Sequence, residues 1–140
     1  ILVINGPNLN LLGKRETLIY GDESLDEIMA WLEKSIEGLN HNFKFYQSNS
    51  EGELINIMQD KRHWANGILI NAGAFSHYSH AIADTISAIQ IPTIEIHMSN
   101  INERESFRKT SVLKKVCIKS ITGLGKHSYL KGLKYFNKIS

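Results

Sequence analysis

Five short, mostly apolar runs alternate with stretches of helical periodicity, and this alternation constrains the fold more than any other feature of the chain. Apolar residues at helical spacing separate the runs, as in the stripe from Leu25 through Ile28 and Leu32 to Ile36. Such alternation predicts a parallel sheet with right-handed crossovers. We therefore expect an α/β fold, a flavodoxin-like doubly wound sheet of five parallel strands in three α/β/α layers. The runs interpreted as strands are residues 1–4, 43–47, 67–71, 92–96 and 116–121.

The predicted helices begin at residues that are typical helix caps. Ser24 and Ser50 are each followed three residues later by glutamate, the pattern of a capping box. We expect the first helix to end at Gly38, where glycine allows the chain to turn. The third helix is predicted over about 77–89 and the last over about 128–138.

Composition excludes several classes of function. The chain has 140 residues, 42% of them hydrophobic, which fits one domain over residues 1–140. A net charge of +2, without a basic run interleaved with aromatics, argues against a nucleic-acid partner. Cys117 is the only cysteine, so no disulfide can form within the chain. No apolar run reaches the roughly 20 residues that span a membrane, and the strand-like start without Met suggests a trimmed terminus, not a signal peptide. We expect a cytoplasmic protein.

Polar residues crowd the loops after the first, third and fourth predicted strands, residues 5–10, 71–77 and 95–100. In a doubly wound sheet, ligands bind beyond the carboxyl ends of the strands. These three loops should therefore converge on one site. The first loop continues to residue 23, and its length predicts a lid over about residues 9–23.

Two residues of this long loop could carry chemistry. An arginine close to a phenol favours the phenolate, so Arg15 would prepare Tyr20 as a general base. The alternative is an exposed arginine beside a tyrosine that anchors the loop, and spacing alone favours that interpretation.

Glu95 and His97 are two residues apart at the end of a predicted strand, which places them on the same face. A carboxylate beside an imidazole orients the ring and supports its protonated form. A histidine that merely completes a strand-end hydrogen bond would fit this pattern equally well.

His77 and His80 are three residues apart at the start of the third predicted helix, where they can share a face. His77 would lie near the free backbone N–H groups of the helix start. Because no third ligand has a clear spacing, we predict no metal site and favour hydrogen bonding to a substrate.

Anion recognition could come from two further places. The backbone amides of Met98 and Ser99 could hold a carboxylate. Arg108 suits a carboxylate or a polyol, although it could equally be a surface charge beside Arg104. The glycines of residues 123–125 look like half of a phosphate-binding fingerprint, but we interpret them as a tight turn.

A resemblance to one known family extends over nearly the whole chain. The segments that carry it are residues 5–13, 15–16, 20–21, 47–54, 71–77, 95–101 and 104–108. In this order they resemble type II 3-dehydroquinate dehydratases. The combined match is far more specific than any single motif. The chain departs from the family in having Thr17 and Ala72 where proline is usual, and both changes loosen the backbone near the site.

The resemblance implies the dehydration of 3-dehydroquinate to 3-dehydroshikimate in the shikimate pathway, without a metal or cofactor. Tyr20, assisted by Arg15, would remove the C2 proton. Asn8 would help to stabilise the resulting enolate through a bound water. His97, oriented by Glu95, would protonate the leaving C1 hydroxyl.

The resemblance also implies how the substrate is held. The amides of Met98 and Ser99 would bind its carboxylate, and Asn71, His77 and Arg108 would bind its ring hydroxyls.

Family resemblance further implies a homo-oligomer, a dodecamer built as a tetramer of trimers. Asp84 follows His77 by seven residues on one predicted helix, roughly 10 Å along its axis. Asp84 is therefore poorly placed to share a small ligand with His77 of its own chain. The resemblance implies that it reaches the site of a neighbouring subunit.

Three alternative functions compete with this interpretation. A flavodoxin-like FMN carrier would need a Ser/Thr/Gly phosphate loop after the first strand, where this chain has Asn-Gly-Pro-Asn. An inactive regulatory relative is disfavoured by the complete set of Arg15, Tyr20, His97 and Arg108. A metal hydrolase built on the histidines is the weakest alternative.

Overall fold

A five-stranded parallel sheet forms the centre of the computed structural model, which describes residues 1–14, 18, 21–101 and 110–139. The strand order β2-β1-β3-β4-β5 confirms the predicted doubly wound sheet. The strands are β1 (Leu2–Asn5), β2 (Lys44–Gln47), β3 (Ile68–Asn71), β4 (Thr93–His97) and β5 (Lys119–Thr122).

Helices cover both faces of the sheet. They are α1 (Leu25–Lys34), α2 (Glu51–Lys61), α3 (His80–Ile89) and α4 (His127–Ile139). On one face, α1 and α4 pack in a cluster with Val3 and Leu69, whereas α2 and α3 pack on the other with Leu2 and Ile68. Alternate residues of a strand thus enter opposite layers, which explains why β1 and β3 are buried throughout and confirms the three-layer prediction.

The predicted helix starts are confirmed in α1 and α2. Ser24 Oγ accepts the Glu27 amide at 3.1 Å, and the Glu27 carboxylate accepts the Ser24 amide at 3.1 Å, which completes a capping box. Ser50 Oγ likewise accepts the Glu53 amide, at 3.2 Å, but the Ser50 amide donates to Ser48 Oγ. The second cap therefore uses a residue upstream in place of the glutamate.

Three predicted boundaries were wrong. Helix α1 ends at Lys34, not Gly38, because Ser35 is extended and caps a separate 3-10 turn, Ile36–Gly38. Helix α3 begins at His80, because Ser79 is its N-cap and residues 73–77 form another 3-10 turn. Strand β5 starts at Lys119, since the amides of Val116 and Cys117 turn back to the Leu113 carbonyl.

Among the described residues, no helix is both long enough and apolar enough to cross a membrane.

Candidate active site

The loops after β1 and β3 are in direct contact at the carboxyl edge of the sheet. The Gly6 amide donates to the Asn71 carbonyl at 2.7 Å, and a Cβ on Gly6 would lie 2.3 Å from the Ala72 carbonyl oxygen. Gly73, at φ +58°, faces Pro7 in the same contact. Only glycine permits the approach at Gly6, so the predicted convergence of these two loops rests on backbone packing.

The loop after β4 is held to the same edge by the turn that follows β5. The amide of Gly123 donates to the His97 carbonyl at 3.2 Å, and that of Gly125 donates to the Met98 carbonyl at 2.9 Å. Both glycines have positive φ. This segment is the tight turn expected from the sequence, and its amides hold the end of β4.

Glu95 and His97 form a buried pair on one face of β4. The two side chains are 0% and 6% exposed, and the imidazole Nε2 lies 2.7 Å from Glu95 Oε2. The prediction that the two side chains share one face of the strand is confirmed, and they are in direct contact.

Two serine hydroxyls complete the surroundings of Glu95, and sequence reasoning missed both. Ser120 Oγ donates to Glu95 Oε1 at 2.9 Å, and Ser111 Oγ donates to Oε2. Burial raises the pKa of Glu95. The hydrogen bond and charge of His97, together with the two serine hydrogen bonds, lower this pKa by more than burial raises it, so the net pKa lies below its usual value. The pair therefore contains an ionised carboxylate.

This ionised carboxylate determines the protonation pattern of the imidazole. A carboxylate only accepts hydrogen bonds, so the proton between the two groups resides on His97 Nε2. The nitrogen not held by Glu95 is Nδ1. Proton exchange with a ligand would therefore occur at Nδ1.

His77 lies in the 3-10 turn Gly73–His77, not on α3, so its expected position at a helix start was wrong. Its Nδ1 lies 2.8 Å from the Thr110 carbonyl oxygen, and the Val112 amide donates to the Ser76 carbonyl at 2.8 Å. The shared helical face with His80 and the axial spacing to Asp84 therefore do not apply. Asp84 itself is exposed on α3.

Asn71 takes part in a buried network at the ends of β1 and β3. Its amide nitrogen donates to the Tyr129 hydroxyl at 2.9 Å, and that hydroxyl donates to Asn5 Oδ1 at 2.6 Å. Asn71 Oδ1 also accepts the Gly73 amide, at 3.3 Å. Burial raises the pKa of the Tyr129 phenol, which the Asn71 hydrogen bond offsets only in part, so this hydroxyl stays neutral and structural. Sequence reasoning missed Asn5 and Tyr129.

Asn8 begins the short turn after β1 in a left-handed conformation, at φ +66°, which asparagine tolerates better than most residues. Its amide donates to Asn49 Oδ1 at 3.0 Å, so the loop after β2 holds it in place. Met98 and Ser99 directly follow β4. The Met98 side chain is buried in the core, which leaves only its main chain for any contact with an anion.

Other predicted features fall partly or wholly outside the described residues. Arg15, Tyr20, Arg108 and the departure at Thr17 lie there, as does most of the region between residues 14 and 21. Within the described parts of the chain, no group of three histidine, cysteine or acidic side chains could hold a metal ion.

The family model described as Dehydroquinase class II matches residues 1–137. The chain belongs to this family. This class II dehydroquinase is 49% identical to the 3-dehydroquinate dehydratase of Caldicellulosiruptor saccharolyticus over 144 residues, which cover 99% of the chain and 97% of that relative. The relative of the same description from Bacillus licheniformis is 46% identical, with 97% and 94% covered.

Solved structures agree with this assignment. The type II dehydroquinase from Butyrivibrio crossotus has a TM-score of 0.93 and 43% identity, covering 97% of this chain and 95% of its own. That from Propionibacterium acnes has the same TM-score and 37% identity, with 99% and 95% covered. The resemblance found in the sequence is thereby confirmed, and an FMN carrier is not favoured.

The class II dehydroquinase should lose stability when the Glu95 charge is removed. The pKa of Glu95 is lowered on folding, so its stabilisation is complete above the unfolded pKa, near 4.5, and is lost as pH falls through the folded value. We expect Glu95→Gln to lower the free energy of unfolding by about 3 kcal/mol at pH 7. The deficit should shrink under acid conditions, as measured by urea unfolding.

Glu53→Gln is the matched control, because Glu53 is exposed on α2. This control should change stability little at either pH. A Glu95→Gln deficit that stays constant or grows as pH falls would contradict an ionised, stabilising Glu95.

Proposed function

We propose that this class II dehydroquinase removes water from 3-dehydroquinate to give 3-dehydroshikimate, in the shikimate pathway and without a cofactor. The observation that carries the proposal is the buried Glu95–His97 pair at the carboxyl edge of the sheet. It occurs in a chain that matches relatives named 3-dehydroquinate dehydratase over nearly its full length. The pair supplies an oriented acid beside the edge where doubly wound sheets bind ligands.

Proton removal begins the proposed reaction. Tyr20, with its phenolate favoured by Arg15, takes the proton from C2, and the C2–H electron pair becomes the enolate. Asn8 helps to stabilise the enolate oxygen. Its main chain is held by Asn49, which supports a fixed position for this residue.

Loss of water completes the reaction. The enolate collapses to the ketone, the C1–C2 double bond forms, and the C1–O bond breaks. His97 gives its Nδ1 proton to the departing hydroxyl, which leaves as water. Because the Glu95 carboxylate accepts from Nε2, the proton that the ring gives up is the one on Nδ1.

Substrate recognition in this proposal combines main-chain and side-chain donors. The amides of Met98 and Ser99 bind the carboxylate, since both residues directly follow β4. His77 and Arg108 bind ring hydroxyls. Asn71 also binds a ring hydroxyl: with its side chain already bonded to Tyr129 and Gly73, its second amide hydrogen and the second lone pair of Oδ1 would serve the ligand.

We further propose that residues 1–140 form one catalytic domain whose lid is the loop over about residues 9–23. It would act in the cytoplasm, as a homo-oligomer of the dodecameric kind, with trimers as the unit. Asp84 is exposed on α3, which supports a role toward the site of a neighbouring subunit.

The first experiment measures turnover of 3-dehydroquinate by the ultraviolet absorbance of the conjugated enone. Wild-type enzyme should form the product, and Tyr20→Phe should lower kcat by roughly 10²–10⁴-fold because the general base is lost. Substrate affinity, measured by calorimetry with the inactive variant, should change little.

Tyr135→Phe is the matched control, since Tyr135 lies on α4 and its ring makes a cation–π contact with the Lys119 ammonium. It should keep the wild-type rate. Near-normal turnover by Tyr20→Phe would refute the assignment of the base, and no enone with wild-type enzyme would refute the proposed function.

The assembly proposal is tested by co-expressing a Tyr20→Phe chain with an Asp84→Ala chain. If Asp84 acts on the neighbouring site, about a quarter of the sites in an equal mixture combine an intact Tyr20 with an intact Asp84, and activity partly returns. If Asp84 acts within its own chain, every site keeps one defect. With each parent impaired and subunit mixing verified by mass spectrometry, mixed oligomers no more active than the parents would refute action in trans.

A further inference from the structure

We propose that Ser111 and Ser120 are positioning residues for the reaction, because their hydroxyls fix the carboxylate plane of Glu95 and thereby the direction in which His97 presents Nδ1. This inference rests on the proposed function and deepens it. It assigns a task to two side chains that are not expected to touch the substrate.

The register of the sheet places Ser120 beside Glu95. Glu95 on β4 and Ser120 on β5 are direct partners in the parallel ladder, so both side chains leave the sheet on the same face. The Ser120 hydroxyl donates to Oε1 at 2.9 Å. That is the oxygen His97 does not use, so Ser120 holds the far side of the carboxylate.

Ser111 reaches the other oxygen from outside the sheet. Its hydroxyl donates to Oε2, the oxygen that also accepts His97 Nε2, and it accepts the Leu113 amide at 3.2 Å. The Val112 amide is bonded in turn to the Ser76 carbonyl in the turn after β3. Ser111 therefore connects the turn that carries His77 with the Glu95–His97 pair.

A carboxylate needs this support because its terminal torsion is soft. The last χ angle of glutamate has a broad preference, so one hydrogen bond to His97 does not define the carboxylate plane. Donors at both oxygens define it. With Ser120 lost, Oε1 is left buried without that donor, at a cost that favours rotation or protonation of Glu95.

In the described part of the chain, two ionisable side chains interact with Glu95. His97 lies beside it on β4, and the Cys117 thiol is close enough to sense its charge. Burial, with a smaller contribution from Glu95, raises the pKa of that thiol to about 12, so it stays neutral. The neighbouring β3 partner is Ile70, and the same core cluster contributes the apolar Leu113. Changes at the serines should therefore register at Glu95 and His97.

The test compares Ser120→Val with Ser120→Thr, two β-branched side chains of nearly equal shape that differ by one hydroxyl. We expect Ser120→Val to lower kcat by roughly tenfold or more, since a buried acceptor loses its partner, with KM nearly unchanged. Removing a donor raises the pKa of Glu95, so the acid limb of the kcat–pH profile should move to higher pH. Ser120→Thr should keep the wild-type kcat and the wild-type acid limb.

Three results would overturn the inference. One is an equal loss in both variants, which would make the role packing alone. Another is a change in KM without a change in kcat, and the third is a Ser120→Val enzyme with the wild-type rate and acid limb. If Ser120→Val does not fold, Ser111→Val against Ser111→Thr provides the same comparison outside the sheet, with the same expected and opposing results.

A readout independent of turnover separates this inference from the proposed function. In protein labelled with ¹³C at glutamate side chains, the Glu95 carboxyl carbon should titrate at higher pH in Ser120→Val than in wild-type or Ser120→Thr. No enone formation by wild-type enzyme would refute the proposed function and, with it, the kinetic part of this inference. An unchanged Glu95 titration in Ser120→Val would refute the positioning role even in an active enzyme.

Discussion

The rest of the site depends on the hydrogen bonds that hold one carboxylate, that of Glu95, which has no contact with solvent. A buried charge is tolerated only when donors surround it, and this one receives hydrogen bonds from His97, Ser111 and Ser120. Each donor comes from a different part of the chain. The register of β4 with β5 and the path of residues 110–113 are therefore tied to one charge, and the orientation of His97 follows from the same constraint.

Close backbone contacts determine where this charge lies relative to the loops that could bind a ligand. Gly6 lets the loop after β1 touch Ala72, and the carbonyls of His97 and Met98 are held by the turn after β5. The Thr110 carbonyl meets the His77 ring. The carboxyl edge thus holds an oriented imidazole beside loops rich in polar groups, an arrangement that suits the proposed acid–base catalysis.

Much of this architecture could be predicted from sequence because it depends on local periodicity. Alternation of strands and helices gave the sheet, and period two put Glu95 and His97 on one face. Ser111 and Ser120 lie 16 and 25 residues from Glu95, and their contacts depend on strand register and loop path, which no local pattern encodes. His77 was wrongly assigned to α3 because Ser79 is the actual cap. The roles of Arg15, Tyr20 and Arg108 were drawn from family resemblance and remain predictions.

The central claim is that ionised Glu95 keeps the proton on His97 Nε2 and leaves Nδ1 for exchange with the substrate. The most direct test is ¹⁵N NMR of the enzyme labelled at histidine ring nitrogens, with His97 assigned by its absence in His97→Gln and followed through a pH titration. The account predicts that, in the neutral ring, Nε2 carries the proton and Nδ1 does not. Loss of the proton from Nε2, with Nδ1 remaining protonated, would contradict it.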